Sequence, residues 1–192
     1  MDAAMVKIID KITDNIQKYG NTLCLAVDIT KAFDTADHRQ LSQRLLEVNL
    51  EESIHNWIVS FISDRMHVTH WEGITSVPVK FNSGIVQGSA IRPVLFLFCI
   101  SNLKPATGYA NFFKYADDNF ILFQSINQSV INCEWESIKN WAMSNNLSIN
   151  LNKTKAILFD TKCKRCSSGA ISEVILDDQR IKVQLMINVL GI

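Results

Sequence analysis

Excess charge of either sign is missing from this chain: 19 lysines and arginines stand against 19 aspartates and glutamates. The overall field offers no long-range steering toward a polyanion, so a grip on nucleic acid would need a local basic groove. Long apolar runs are also missing. The longest, VLFLFCI at residues 94–100, is far short of the ~20 residues that cross a bilayer. It reads as a core helix, and the chain is expected to be soluble and to have no membrane partner. Evenly paired cysteine is absent. The five cysteines are Cys24, Cys99, Cys133, Cys163 and Cys166, and no signal peptide is evident, so reduced thiols in an intracellular setting are expected. Cys163 and Cys166 form the single CxxC. No second pair and no later histidine completes the four ligands of a structural zinc. Low-complexity stretches and solenoid-spaced repeats are lacking too. What is present is a 47% hydrophobic composition, enough for a real core in what reads as one domain spanning 1–192.

Periodicity divides the chain into helices and short strands. Val6, Ile9, Ile12 and Ile16 recur at helical spacing over residues 2–18, and Gly20 and Asn21 end that helix. TLCLAVDI (22–29) is short, apolar and bounded, as a buried strand is. Asp37 is placed to cap a helix to about Val48, with Leu41, Leu45 and Val48 inward. Ser53 opens another, with Ile54, Trp57, Ile58, Phe61 and Ile62 inward. MHVTHWEG and SVPVKF read as strands joined by a turn at 73–76. SGIVQGS (83–89) is a glycine loop, after which Ser89 would cap a helix to about Asn102, with Pro93 near its first turn. FFKYA and NFILF suggest a hairpin around Asp117 and Asp118. Ser129 to about Asn145 is helical, with Ile131, Trp135, Ile138 and Trp141 inward. AILFD is a strand, and EVILDDQRIKV is a hairpin turning at 177–179. Helices mixed with antiparallel hairpins in this order predict an α+β layer fold.

The acids are the chemical question. Asp117 and Asp118 sit side by side between FFKY and NFILF, where apolar neighbours weaken the screening of their repulsion. One reading is a tight hairpin turn pointing to solvent, since aspartate tolerates positive φ. Asp177 and Asp178 suit that reading. The other reading is a metal site. Asp28 ends a buried strand, and three carboxylates at strand ends of one sheet can converge on hard cations such as Mg²⁺. Two such ions ~4 Å apart clamp the attacking and leaving oxygens of a phosphoryl transfer.

LAVDITKAFDTADH (25–38), SGIVQGSAIRPVLF (83–96), KYADDNFIL (114–122) and LSINLNKTKAILF (147–159) occur in this order. Together they resemble the reverse transcriptases, the RNA-directed DNA polymerases, and within them the non-LTR (LINE-type) retrotransposon enzymes. WIVSFISDR (57–65) and the closing VLGI (189–192) add to the likeness, which runs from about residue 22 onward. The resemblance implies a polymerase palm, an antiparallel sheet packed on helices, with part of the fingers and no thumb within 1–192. It implies that Asp28, Asp117 and Asp118 hold two Mg²⁺ ions, with Mn²⁺ as a substitute, and that Ile29 lends a backbone carbonyl. Phe33 matches the aromatic below the incoming sugar that would exclude a 2′-hydroxyl, and its alternative is ordinary core packing. Gln87 and Gly88 match the loop that touches nucleotide and template. Lys153 matches a lysine near the leaving pyrophosphate, and its alternative is a solvated loop lysine. Leu190 and Gly191 resemble the start of the turn that grips the primer. The implied partners are an RNA template, a DNA primer and deoxynucleoside triphosphates. The implied location is the nucleus or the cytoplasm.

The chain departs from the family pattern at Val86, where proline is usual, and at Arg92, where a small residue is usual. It departs again at Asn102, where aspartate is common, and at Val189, where an aromatic is common. None of these is an implied metal ligand. Two other readings therefore stand beside a polymerase: a folded, inactive remnant that at most binds nucleic acid, and a metal-dependent nuclease. The QGS loop and Phe33 argue against the nuclease, which has no need to select a sugar.

Overall fold

TLCLAVDI is almost wholly apolar before Asp28, and a strand of that kind must be covered on both faces. The computed structural model, which describes residues 2–81, 83–115, 118–124, 126–160 and 172–184, puts it at the heart of a sheet. In chain order the elements are α1 (Asp2–Tyr19), β1 (Asn21–Thr30), α2 (Ala32–Thr35), α3 (His38–Leu46), α4 (Glu52–Ile62), β2 (Arg65–His67), β3 (His70–Trp71), β4 (Ile74–Thr75), β5 (Val79–Phe81), α5 (Arg92–Cys99), β6 (Ala110–Tyr115), β7 (Asp118–Phe123), α6 (Gln128–Ser144), β8 (Ser148–Asp160), β9 (Glu173–Leu176) and β10 (Gln179–Gln184). They fall into two compact units. One holds the described residues of 1–30, 103–144 and 148–192, and the other holds those of 31–102 and 145–147.

The first unit is a six-stranded sheet in the order β6-β7-β1-β8-β10-β9. Central β1 is antiparallel to both β7 and β8. The antiparallel sheet expected from the hairpins is therefore present, with one addition: β10 meets β8 in parallel, Val183 opposite Ala156. Alternation sorts the apolar side chains to two faces. Leu23, Leu25 and Val27 of β1 join Ile121 and Phe123 of β7 against Ile131, Trp135 and Ile138 of α6. Cys24, Phe120, Leu122 and Ile157 pack with Ile8 of α1. Burial there pushes the Cys24 thiol up to about 12, which makes it an inert core group. The described part of β7 is buried from Asn119 to Phe123, and only Asp118 is exposed.

Helix α1 turns a different face inward than Val6 and Ile9 suggested. Those two are each 53% exposed, while Ala4, Met5, Ile8 and Ile12 meet the sheet. A buried polar link explains the rotation. Asn15 Nδ2 donates to Thr22 Oγ1 at 3.1 Å, and Thr22 Oγ1 donates to the Phe123 carbonyl at 2.6 Å. Asn15 must face inward to make that link, because an unpaired buried amide costs more than an exposed valine. The β9–β10 hairpin turns at Asp177 and Asp178, both at positive φ, as its sequence indicated. Trp135 Nε1 donates to Asp177 at 2.8 Å, and Lys139 pairs with the same carboxylate. Burial raises the Asp177 pKa, but the Lys139 and Trp135 hydrogen bonds outweigh that and hold it below the usual value.

Glu134 carries a structural load that periodicity did not reveal. It is fully buried on α6, and its carboxylate accepts from Ala106 N (2.9 Å), Thr107 N (2.7 Å) and Thr107 Oγ1 (2.6 Å). One charged side chain thus satisfies the loop that leads into β6. Glu134→Gln replaces an acceptor with a donor facing N–H groups, and is expected to cost about 1–2 kcal/mol in a urea titration. An unchanged midpoint would show that the loop finds other partners.

In the second unit α3 packs on α4 and α5. Asp37 caps α3 as its position suggested, accepting from Arg39 N at 2.8 Å and Gln40 N at 3.1 Å. The helix stops at Leu46, before Val48. Helix α4 begins at Glu52, after Glu51, and not at Ser53, and it buries Ile58 and Ile62 while Ile54 and Trp57 stay exposed. Trp57 instead stacks on Phe61 beside it. The hairpin is built in two parts, β2 with β5 and β3 with β4, and it turns at Glu72 and Gly73, both at positive φ. Ser89 does not cap α5. Its hydroxyl bonds the Val86 carbonyl at 3.0 Å, and the helix opens at Arg92 after Ile91. Among the described residues no helix is long and apolar enough to cross a membrane.

Candidate active site

Asp28 and Asp118 are direct cross-strand partners at one end of the β1–β7 ladder. Residues two apart share a sheet face, so both acids continue the column of Cys24, Phe120 and Leu122. A column that is apolar along its length thus ends in two carboxylates. Asp28 is half-buried and Asp118 is exposed. Like charges directly opposite each other destabilise a strand pair, so the arrangement favours a positive group between them. The donors that this described pair offers are carboxylate oxygens, which suit a hard divalent cation and not a soft one. The pair therefore fits such an ion. Among the described residues no three His, Cys, Asp or Glu side chains are grouped to hold a metal. Asp117, the third acid of the expected set, lies outside the described residues, as do Leu190, Gly191, Val189, Cys163 and Cys166.

The other flank of Asp28 is irregular. Ala26 pairs with Lys155 and Asp28 with Asn150, so the register shifts there and β8 carries a bulge within residues 151–154. Asn150 organises that bulge. Its Oδ1 accepts from Lys153 N at 3.3 Å, and its carbonyl accepts from Thr154 Oγ1 at 3.0 Å. Lys153 is exposed on the bulge, which places it next to the cross-strand neighbour of Asp28. Ile29 is buried and pairs with Ile149. Its side chain lies on the opposite sheet face from Asp28.

The remaining sequence candidates belong to the second unit and are described within it. Phe33 lies in α2, half-buried. Its ring centroid is 4.6 Å from that of Phe96, and the Arg92 guanidinium sits over it at 4.4 Å. Arg92 also reaches Asp34 at 3.5 Å. Gln87 and Gly88 are exposed in a turn, and Gly88 has φ +80.

Three residues here escaped the sequence reading: Gly84, His38 and Arg92 as a contact of Phe33. Gly84 N donates to the Ala36 carbonyl at 2.7 Å, and Ile85 N donates to that of Phe33 at 2.8 Å. His38 Nε2 donates to the Gly84 carbonyl at 2.6 Å. A Cβ on Gly84 would stand 2.8 Å from the Asp34 carbonyl oxygen, whereas one on Gly88 would meet no atom of the described residues beyond its chain neighbours within 4 Å. Among the described residues, then, close backbone approach is used at Gly84, and Gly88 keeps open space. The only sequence signal for Gly84 was its place at the head of the glycine loop. His38 closes the 25–38 block that carries the family resemblance, but nothing in that block pointed to a hydrogen bond with Gly84. The same unit has a cleft lined by Asp34, Arg65, His67, Phe81, Gly84 and Gln87, among others.

Comparison with known proteins adds independent findings. The family model described as "Reverse transcriptase (RNA-dependent DNA polymerase)" matches residues 3–192. The "Retrovirus-related Pol polyprotein from type-1 retrotransposable element R2" of Popillia japonica is 28% identical over 79 residues, which is 41% of this chain and 13% of that protein. Apo telomerase from Candida tropicalis, truncated from its C-terminal domain, superposes with a TM-score of 0.61 at 14% identity, covering 94% of this chain and 38% of that one. Telomerase from Candida albicans, solved with a fragment of telomeric RNA, gives 0.58 at 13% identity, covering 95% of this chain and 32% of that one. At such identities the structural likeness establishes the shared fold. The chain spans a minor part of the length of each of these relatives.

Proposed function

This chain belongs to the reverse transcriptase (RNA-dependent DNA polymerase) family, and from that premise we propose that it carries the nucleotidyl-transfer centre of an RNA-directed DNA polymerase of the non-LTR retrotransposon kind. The family uses divalent metal ions. The observation that carries the reading is the placement of Asp28 directly opposite Asp118, two acids closing an otherwise apolar column. Asp28, Asp117 and Asp118 are the residues that would hold the ions, with the Ile29 carbonyl beside them. When bound, two Mg²⁺ ions, or Mn²⁺ in their place, supply charge stabilisation to the attacking and leaving oxygens. Lys153, on the bulge of β8, offers its ammonium to the departing pyrophosphate. Phe33 fills the space a 2′-hydroxyl would need, so deoxynucleotides are preferred. Gln87 and Gly88 touch nucleotide and template, and open space around Gly88 allows a close approach. Leu190 and Gly191 contribute to the primer grip. The partners are an RNA template, a DNA primer and deoxynucleoside triphosphates.

Primer extension on RNA and DNA templates tests this. The expected result is template-directed lengthening of a DNA primer on RNA, dependent on added Mg²⁺. Shortening of the primer would replace the reading with a nuclease. Template binding without lengthening would leave a folded remnant of a mobile element.

A further inference from the structure

We infer that Arg92 is a positioning residue for Phe33: its guanidinium holds the ring, and so sets how strictly the chain selects deoxynucleotides. The inference rests on the reading of Phe33 given above. Arg92 stands where the family resemblance has a small residue, so its role is particular to this chain.

The position is a costly one for a cation. Arg92 opens α5, and the N-terminal end of a helix carries the positive pole of its dipole. Its side chain is also only 18% exposed, so water screens little of that cost. Something local must offset it, and two contacts do. The guanidinium lies over the face of Phe33, 4.4 Å from the centroid, where the ring quadrupole attracts it. Asp34, the next residue, lies 3.5 Å away. Both partners belong to α2, so Arg92 ties the start of α5 to that short helix.

The geometry acts on the ring. Arg92 and Phe96 are four residues apart on α5 and therefore neighbours on one helix face. Phe33 rests on both, tilted 42° to Phe96. Its carbonyl is held by Ile85 N at 2.8 Å. With backbone and ring face both fixed, Phe33 presents one edge in one place. A glycine at position 92 would uncover that ring face and leave Phe96 as the remaining aromatic contact. The ring could then yield to a 2′-hydroxyl. A lysine would keep the charge but not the flat surface.

The test measures single-nucleotide addition by the chain, with kcat and KM for matched deoxy- and ribonucleotides, in wild type, Arg92→Gly, Arg92→Lys and Phe33→Val. A second arm places 4-fluorophenylalanine at position 33 and reads its ¹⁹F linewidth. Expected for Arg92→Gly is a loss of about 5–10-fold in discrimination, through a lower ribonucleotide KM with deoxynucleotide kcat within about twofold. Arg92→Lys should follow it, Phe33→Val should lose more, and the ¹⁹F line should narrow in Arg92→Gly. If Phe33→Val loses discrimination while Arg92→Gly keeps it, or if the ¹⁹F line is unchanged, Arg92 does not position the ring. Arg92→Lys matching wild type would likewise overturn the inference, because charge alone would then suffice. Unchanged discrimination in Phe33→Val would overturn the sugar-selecting reading of Phe33 and the inference with it. If wild type adds no nucleotide, the proposed function fails, and the ¹⁹F arm alone decides whether Arg92 holds the ring.

Discussion

Asp118→Asn is expected to abolish template-directed extension while leaving the metal-free chain at least as stable as wild type. The two effects have opposite signs because one carboxylate serves two accounts. Asp118 faces Asp28 across the β1–β7 ladder, and like charges in that position repel. Removing one relieves the strand pair. Asp118 is exposed, so water screens most of the repulsion, and the gain in Tm should be small, about 1–3 °C, and should shrink as salt is added. For activity the same change removes a charged oxygen from the set that would hold the cation. The loss should exceed the ~100-fold that removal of an outer-shell partner can cost. Asp28→Asn and Asp117→Asn should match it. A thermal-shift titration supplies a readout independent of catalysis: added Mg²⁺ or Mn²⁺ should raise the wild-type Tm and should not raise that of Asp28→Asn or Asp118→Asn. Wild-type extension by Asp118→Asn, or equal metal-induced shifts in all three proteins, would remove these acids from the site.

Gly84→Ala is expected to destabilise the second unit more than alanine at either of the described glycines Gly73 and Gly88. Two costs coincide there. The backbone has φ +83, and the new Cβ would lie 2.8 Å from the Asp34 carbonyl oxygen. A backbone atom cannot swing aside as a side-chain tip can. Nor can Gly84 retreat, because its N–H is held by Ala36 and its carbonyl by His38. Positive φ costs an alanine about 1 kcal/mol, and overpacking adds about 1–3 kcal/mol. The sum, about 2–4 kcal/mol, should lower Tm by ~5–15 °C. Gly20 is the control. It has φ +82 with none of the described residues beyond its chain neighbours within 4 Å of an added Cβ, so Gly20→Ala carries the conformational cost alone. Equal shifts for the two variants would show that the loop moves away from α2 freely, and that the tether between Phe33 and Ile85 is weak.

The sequence alone determined what is local. The apolar run of β1, the helical spacing in α6, the Asp37 cap and the Asp177–Asp178 turn all follow from periods and turn chemistry within a few residues. The acids, too, were visible as acids, because a carboxylate in an apolar strand has no packing role. Four motifs in order then identified the family. Tertiary structure decided what depends on distant partners. Nothing near Asp28 in the chain says that Asp118 lies opposite it and Asn150 on its other side. Register between strands so far apart is set by burial of both faces at once. Of the four apolar residues that mark α1 as a helix, Ile12 meets the sheet while Val6 and Ile9 face solvent, because one buried Asn15–Thr22 link outweighs two exposed apolar residues. Likewise, Ser89 had the chemistry of a cap but spent its hydroxyl on Val86. Gly84 looked like any loop glycine until the Asp34 carbonyl stood against it. The arginine at position 92 was legible only as a departure. Its reason, a ring and a carboxylate contributed by α2, exists only once α2 and α5 are packed together. Periodicity reports which side of an element is apolar, whereas contacts between elements decide which of its groups can be satisfied, and burial makes the second requirement prevail.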